Sequence, residues 1–154
     1  MLKYYNYDVV FQEIPDEVTL AINITNCPNR CKGCHSPHLL KDIGERLNEN
    51  CLISILEKYA KSITCLCFMG GDASPIRINE LAFFIKENYP KLKVAWYSGR
   101  SKLPKDFNIK PFQYVKLGSY IPKYGDLKSN TSNQHLYKIR HDGSMKDISY
   151  MFRS

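Results

Sequence analysis

Residues 63–75 read Ile-Thr-Cys-Leu-Cys-Phe-Met-Gly-Gly-Asp-Ala-Ser-Pro. Seven uncharged residues stopped by Gly70-Gly71 predict a short strand buried on both faces. Ser74 before Pro75 is an N-cap followed by proline at the first helical position. Ile78, Leu81, Ala82 and Ile85 then recur at helical spacing, and Pro90 ends the run. Residues 92–97 (Leu-Lys-Val-Ala-Trp-Tyr) make the next strand, stopped by Ser98-Gly99. Strand, glycine turn, helix and strand form a βαβ unit, whose strands are parallel.

Working outward, residues 17–25 alternate, with Val18, Leu20, Ile22 and Ile24 on one face, and predict the first strand. Residues 48–61 place Leu52, Ile55, Leu56 and Tyr59 on one helical face, with Asn48 or Asn50 as cap. Residues 112–117 are a fourth strand stopped by Gly118, and 135–140 a last one. Residues 98–111 hold two prolines and are not read as a full helix, and 119–134 read as irregular. Tyr4, Tyr5 and Tyr7 suggest an edge strand. The expected fold is α/β: a mainly parallel, curled sheet forming an open partial (βα) barrel, with a flat doubly wound sheet as the alternative. Five strands are too few to close an eight-stranded barrel. Residues 1–154 read as one domain. Gly70-Gly71-Asp72, Ser98-Gly99 and Gly118 each follow a strand, so they fall on the carboxyl-terminal rim, where parallel α/β folds place their chemistry.

The chain is 44% hydrophobic and 24% charged, a globular composition that excludes a disordered or collagen-like chain. No apolar run approaches the roughly 18–20 residues needed to cross a bilayer, and the start of the chain lacks the apolar core of a secretory signal. The cytoplasm is the expected compartment. Residues 1–99 carry 11 basic and 11 acidic side chains, whereas 100–154 carry 11 basic and 4 acidic. The whole net charge of +7 therefore lies in the last third. It is dispersed, unlike the basic block of a nucleic-acid arm. It reads either as a solvated face or as a docking surface for an acidic partner, with Lys102, Lys105, Lys110, Lys123 and Lys128 the candidate contacts.

Six cysteines divide into the trio Cys27, Cys31 and Cys34 and the scattered Cys51, Cys65 and Cys67. The latter three fall in apolar patterns and read as small buried residues. The trio, Cys27-Pro-Asn-Arg-Cys31-Lys-Gly-Cys34, directly follows the first strand. Three thiolates within eight residues can wrap one soft metal centre. Three ligands on a four-iron cluster would leave one iron open to a small molecule. A zinc site of three cysteines plus His35 or His38 has compatible spacing. That alternative would make the chain a zinc-binding interaction module.

In its context, Asn26-Cys-Pro-Asn-Arg-Cys-Lys-Gly-Cys-His-Ser-Pro-His38 resembles the signature of the radical S-adenosylmethionine enzymes, and within them the activating proteins of glycyl-radical enzymes. Gly70-Gly71-Asp72 is similar to the family's Gly-Gly-Glu/Asp motif, Tyr97-Ser98-Gly99 to its Tyr-Thr/Ser-Gly turn, and Ser132-Asn133-Gln134 to its Ser-Asn-Gln element. The resemblance spans about residues 17–140. It implies that Cys27, Cys31 and Cys34 hold a [4Fe-4S] cluster and that the open iron chelates S-adenosylmethionine. It further implies that Gly33, Cys34, His35, Gly70, Gly71, Asp72, Ser98 and Asn133 surround that ligand. One-electron cleavage would give a 5′-deoxyadenosyl radical, which takes a hydrogen atom from a glycine of the partner. The implied partners are a large glycyl-radical reductase subunit and a low-potential donor such as a flavodoxin or ferredoxin. Neither nucleic acid nor a membrane is expected. The alternative within the class is a radical enzyme acting on another glycyl-radical enzyme or on a small molecule.

The chain departs from the family at three places. Ile14-Pro15-Asp16-Glu17 stands where many relatives have a glycine-rich turn, Asn26 stands where many have glycine, and the proline after the Gly-Gly motif is displaced to Pro75. Asp72 also has a plain reading as an acid before a helix N-terminus. Trp96 reads as core and Tyr97 as a residue able to face the rim. His38, His135 and His141 read as surface or satisfied side chains. Asn133 and Gln134 read either as ligand contacts or as turn caps.

Overall fold

The computed structural model describes residues 2–11, 13–25, 44–119, 123–125, 127, 129 and 132–152. Among these residues, eight strands form one sheet: β1 (Lys3–Val10), β2 (Thr19–Ile24), β3 (Glu45–Arg46), β4 (Cys65–Met69), β5 (Lys93–Tyr97), β6 (Tyr114–Leu117), β7 (His135–Ile139) and β8 (Met145–Asp147). Their order is β3-β1-β2-β4-β5-β6-β7-β8. Two helices, α1 (Glu49–Tyr59) and α2 (Pro75–Asn88), and a short 3₁₀ helix (Ser149–Phe152) complete the described elements.

The predicted βαβ unit is present: β4 runs through Gly70-Gly71 into α2 and returns in β5 parallel to β4. β2, β4, β5 and β6 form a parallel centre. The flanks are antiparallel: β1 against β2 and β3, β7 against β6, and β8 against β7. The sheet is thus mixed, and the expectation of a mainly parallel one holds only for its centre. His135 opens β7 beside Leu117, the last residue of β6. The end of β6 and the start of β7 therefore lie at the same rim, and the pairing is antiparallel. The tyrosine-rich β1 is not an edge strand, because the two-residue β3 lies outside it.

Alternation explains why β4 has no polar face. Leu66 and Phe68 join Leu20, Ile22, Ile24, Val94, Trp96 and Val115 in the core that packs on α1 and α2. Cys65 and Cys67 point the other way, into a second cluster with Ala95, Tyr97, Tyr114, Leu136 and Ile14. Each fully buried large apolar side chain contributes on the order of 1.5–3 kcal/mol. α1 presents Leu52, Ile55 and Leu56 to the core, and Asn48 caps it by accepting a hydrogen bond from Cys51 N at 2.9 Å. α2 buries the expected stripe of Ile78, Leu81, Ala82 and Ile85. Ser74 is its N-cap residue by position, but its side chain makes no capping bond. A bidentate ion pair from Arg77 to Glu49 ties the first turns of the two helices together. In the turn before β2, Asp16 takes a left-handed backbone, φ 65°, a conformation Asp tolerates better than most residues.

Candidate functional site

The turns after β4 and β5 are stitched together by one carboxylate. Asp72 is 3% exposed. Its Oδ1 accepts from Ser98 Oγ at 2.6 Å and its Oδ2 from the Gly99 backbone N–H at 2.9 Å. Ser98 Oγ in turn accepts from Arg100 N at 3.1 Å. The same turns are locked from the helical side. Trp96, fully buried and stacked on Phe107 at 4.6 Å, donates its indole N–H to the Gly70 carbonyl at 2.6 Å. Gly70 N donates to Tyr97 O at 2.9 Å. Gly71 has φ 93°, and a Cβ there would sit 2.7 Å from Ile78 Cδ1, so the turn lies directly on the first turn of α2.

The turn after β6 joins them. Gly118 N donates to Arg100 O at 2.7 Å. A Cβ at Gly118 would stand 2.6 Å from the Asn133 carbonyl oxygen, so glycine is required for residue 133 to approach the strand end. Asn133 Nδ2 donates to Ser119 O at 2.9 Å, Ser119 Oγ donates to Gly99 O, and Gln134 Nε2 reaches Gly118 O at 3.4 Å. Asn133 Oδ1 is buried with no hydrogen-bond partner among the described residues. Such an acceptor normally has one, so this atom is suited to receive a donor from a bound molecule.

Gly70, Gly71, Asp72, Ser98 and Asn133 thus converge on one rim, which β2 also reaches, since Asn23 stands beside Met69 in parallel register. Gln134 contacts Gly118 rather than standing apart as a turn cap. Cys27, Cys31, Gly33, Cys34, His35 and His38 lie outside the described residues. No three His, Cys, Asp or Glu side chains among the described residues are arranged to hold a metal. Tyr97 does not open onto the rim: it is 8% exposed, and its hydroxyl donates to the Glu13 carbonyl. His135 pairs with Asp147 at 2.9 Å. Of the candidate docking lysines, Lys102, Lys105, Lys110 and Lys123 are exposed and Lys128 lies outside the described residues. Lys110 stands near the opposite end of the sheet, beside Gln113 and Arg140, so the group is not one patch.

A second polar cluster, at the amino-terminal ends of the parallel strands, has no counterpart in the sequence reading. Glu17 is 5% exposed and accepts from Lys93 Nζ at 2.7 Å, Thr64 Oγ1 at 2.7 Å and Tyr114 OH at 2.8 Å. Burial alone would raise its pKa, but these three bonds outweigh burial and hold it below the ordinary range. Beside it, burial pushes the Cys65 and Cys67 thiols well up. Both are therefore poor nucleophiles and poor ligands. A glutamate at a strand start gives no periodic signal, and only the register of β4, β5 and β6 brings its three donors together.

Comparison with protein-family models, with curated proteins and with solved structures found no match to this chain.

Proposed function

We propose that the chain is a radical S-adenosylmethionine enzyme that installs a glycyl radical in a large partner, and that an anaerobic ribonucleoside-triphosphate reductase is the partner its motifs fit best. The observation that carries this reading is the convergence of the motif turns: Asp72 bonds Ser98 and Gly99, and Asn133 meets Gly118 and Ser119, on one rim. β2 ends on the same rim at Ile24, one residue after Asn23, and Cys27 follows Thr25 by two positions in the sequence. In this reading the sheet curls as an open partial barrel, and its open side admits the partner's glycine loop.

Cys27, Cys31 and Cys34 are the residues that would hold the cluster, and Gly33 and His35 would help cover it. When bound, the cluster and S-adenosylmethionine supply the electron and the 5′-deoxyadenosyl radical that removes the glycine hydrogen. The chain's own contribution is orientation and exclusion of water. Gly70, half-buried, and Gly71, buried, place no side chain at the rim. Asn133 Oδ1 is a buried acceptor with no partner among the described residues. Asp72 holds the Ser98–Gly99 turn, and in this reading its carboxylate also takes a charge-assisted bond from the ammonium group of S-adenosylmethionine. A flavodoxin or ferredoxin would supply the electron.

The test is anaerobic incubation of the iron-loaded chain with the reductase, S-adenosylmethionine and a strong reductant, read by electron paramagnetic resonance. A glycyl-radical signal that requires this chain supports the reading. One tightly held zinc per chain, with no cluster that can be assembled, would overturn it in favour of a zinc-binding module.

A further inference from the structure

At the end of the sheet opposite the candidate site lies a polar cavity of about 320 Å³. Its wall draws on five strands: Glu17 before β2, Lys93 opening β5, Tyr114 opening β6, and Lys138 and Lys146 on β7 and β8. Tyr114 is in register with Lys138, and Lys138 is directly opposite Lys146. Tyr150 and Asp16 complete the mouth.

Two features give this cavity a sign. Glu17 is already met by an ammonium and two hydroxyls, so it leaves the other lysines uncompensated. Lys138 and Lys146 have no ion-pair partner among the described residues. Directly opposed residues of antiparallel strands have Cβ atoms about 4.5–5.5 Å apart, and like charges placed so are destabilising. Two lysines directly opposed in register on the wall of a cavity, without an ion-pair partner among the described residues, suit a ligand carrying two negative charges. Three lysines against Asp16 and Glu17 leave the lining at net +1. The volume lies at the lower end of the range for small-molecule sites and exceeds what a bare oxyanion fills.

We propose that this cavity is a second binding site, for a small phosphomonoester, with Lys138 and Lys146 taking the phosphate and Tyr150 flanking the remainder. A dianionic phosphate answers both ammonium groups at once, where a monocarboxylate would leave one unmet. The site is independent of the rim that carries Asp72.

The test compares the full chain, prepared anaerobically, with Lys138→Gln and Lys146→Gln, using thermal unfolding in glycerol 3-phosphate, in inorganic phosphate and in chloride at equal ionic strength. Both lysines are exposed, so the variants fold, and without phosphate they are expected to be at least as stable as wild type. Glycerol 3-phosphate is expected to raise the wild-type midpoint by several degrees at saturation, with affinity at least equal to that for inorganic phosphate. Each variant is expected to bind it about tenfold more weakly or worse. Lys102→Gln, at the other rim, is expected to respond as wild type. Equal stabilisation of wild type and both variants would mark a general salt effect and overturn the proposal. Binding of a hexaglutamate peptide without any response to glycerol 3-phosphate would also overturn it and assign the surface to an acidic protein segment.

Discussion

Asp72 and Ser98, 26 positions apart, are joined by a 2.6 Å hydrogen bond inside a nearly closed environment. This contact fuses the turns after two neighbouring parallel strands into one unit, to which Gly99 adds its backbone N–H. Asp72 is therefore a positioning residue for the rim whether or not it also touches a ligand.

The two roles separate by substitution. Asp72→Asn keeps an acceptor for Gly99 N–H and an amide that Ser98 Oγ can accept from, so it is expected to fold nearly as wild type. Asp72→Ala loses both contacts and is expected to cost about 1.5–3 kcal/mol of stability, measured by denaturant unfolding. S-adenosylmethionine affinity is expected to fall about tenfold in Asp72→Asn. Unchanged affinity in Asp72→Asn would confine the residue to its positioning role.

Trp96 is the single tryptophan of the chain and its indole N–H satisfies the Gly70 carbonyl. Trp96→Phe strands that carbonyl and shrinks a packed aromatic stack with Phe107 and Phe112. A loss of about 2–3 kcal/mol is expected, combining the unpaired acceptor with the packing defect. In the wild type, its fluorescence is expected to shift when ligand binds the rim.

Glu17 gives the fold an acid-sensitive element. Its carboxyl is held below the ordinary value by Lys93, Thr64 and Tyr114 against the opposing effect of burial. A depressed folded-state pKa contributes stability that is complete above the unfolded value, about 4.3, and that is lost as pH falls through the folded one. Glu17→Gln is expected to lower stability at pH 7 by about 1–2 kcal/mol, discounted because Lys93 is half-exposed. The difference from wild type is expected to shrink below about pH 4. A gap that stays constant from pH 7 to pH 3 would contradict the assignment.

Cys65 and Cys67 are fully buried, with their thiol pKa values pushed up by burial. They are expected to resist alkylation in the native protein and to react only on unfolding. Cys51→Ala, Cys65→Ala and Cys67→Ala are each expected to retain about four irons per chain after anaerobic assembly, while Cys27→Ala, Cys31→Ala and Cys34→Ala lose them. Iron loss in Cys65→Ala or Cys67→Ala would move the ligand assignment to the strand.

How much of this was legible beforehand depends on the kind of signal each element carries. The stripes of α1 and α2, the alternation of β2 and the paired burial of β4 are local patterns, and they could be read directly. Pairing direction is not local. Nothing within residues 135–139 says that His135 will meet Leu117 rather than cross over. β3 and β8, of two and three residues, are too short to carry a period. At the site, the glycine turns were visible because strands must stop, but the Asp72–Ser98–Gly99 and Gly118–Asn133 contacts come from tertiary register. The Glu17 cluster was invisible for the same reason: its donors come from positions 64, 93 and 114.

The central claim is tested most directly by reductive cleavage of S-adenosylmethionine in the absence of any partner. The anaerobically assembled chain, reduced with dithionite, is mixed with S-adenosylmethionine, and 5′-deoxyadenosine and methionine are quantified together. The account predicts equal amounts of the two products from wild type and none from Cys31→Ala. A wild-type protein that holds its full iron complement and binds S-adenosylmethionine, yet forms neither product, would contradict it.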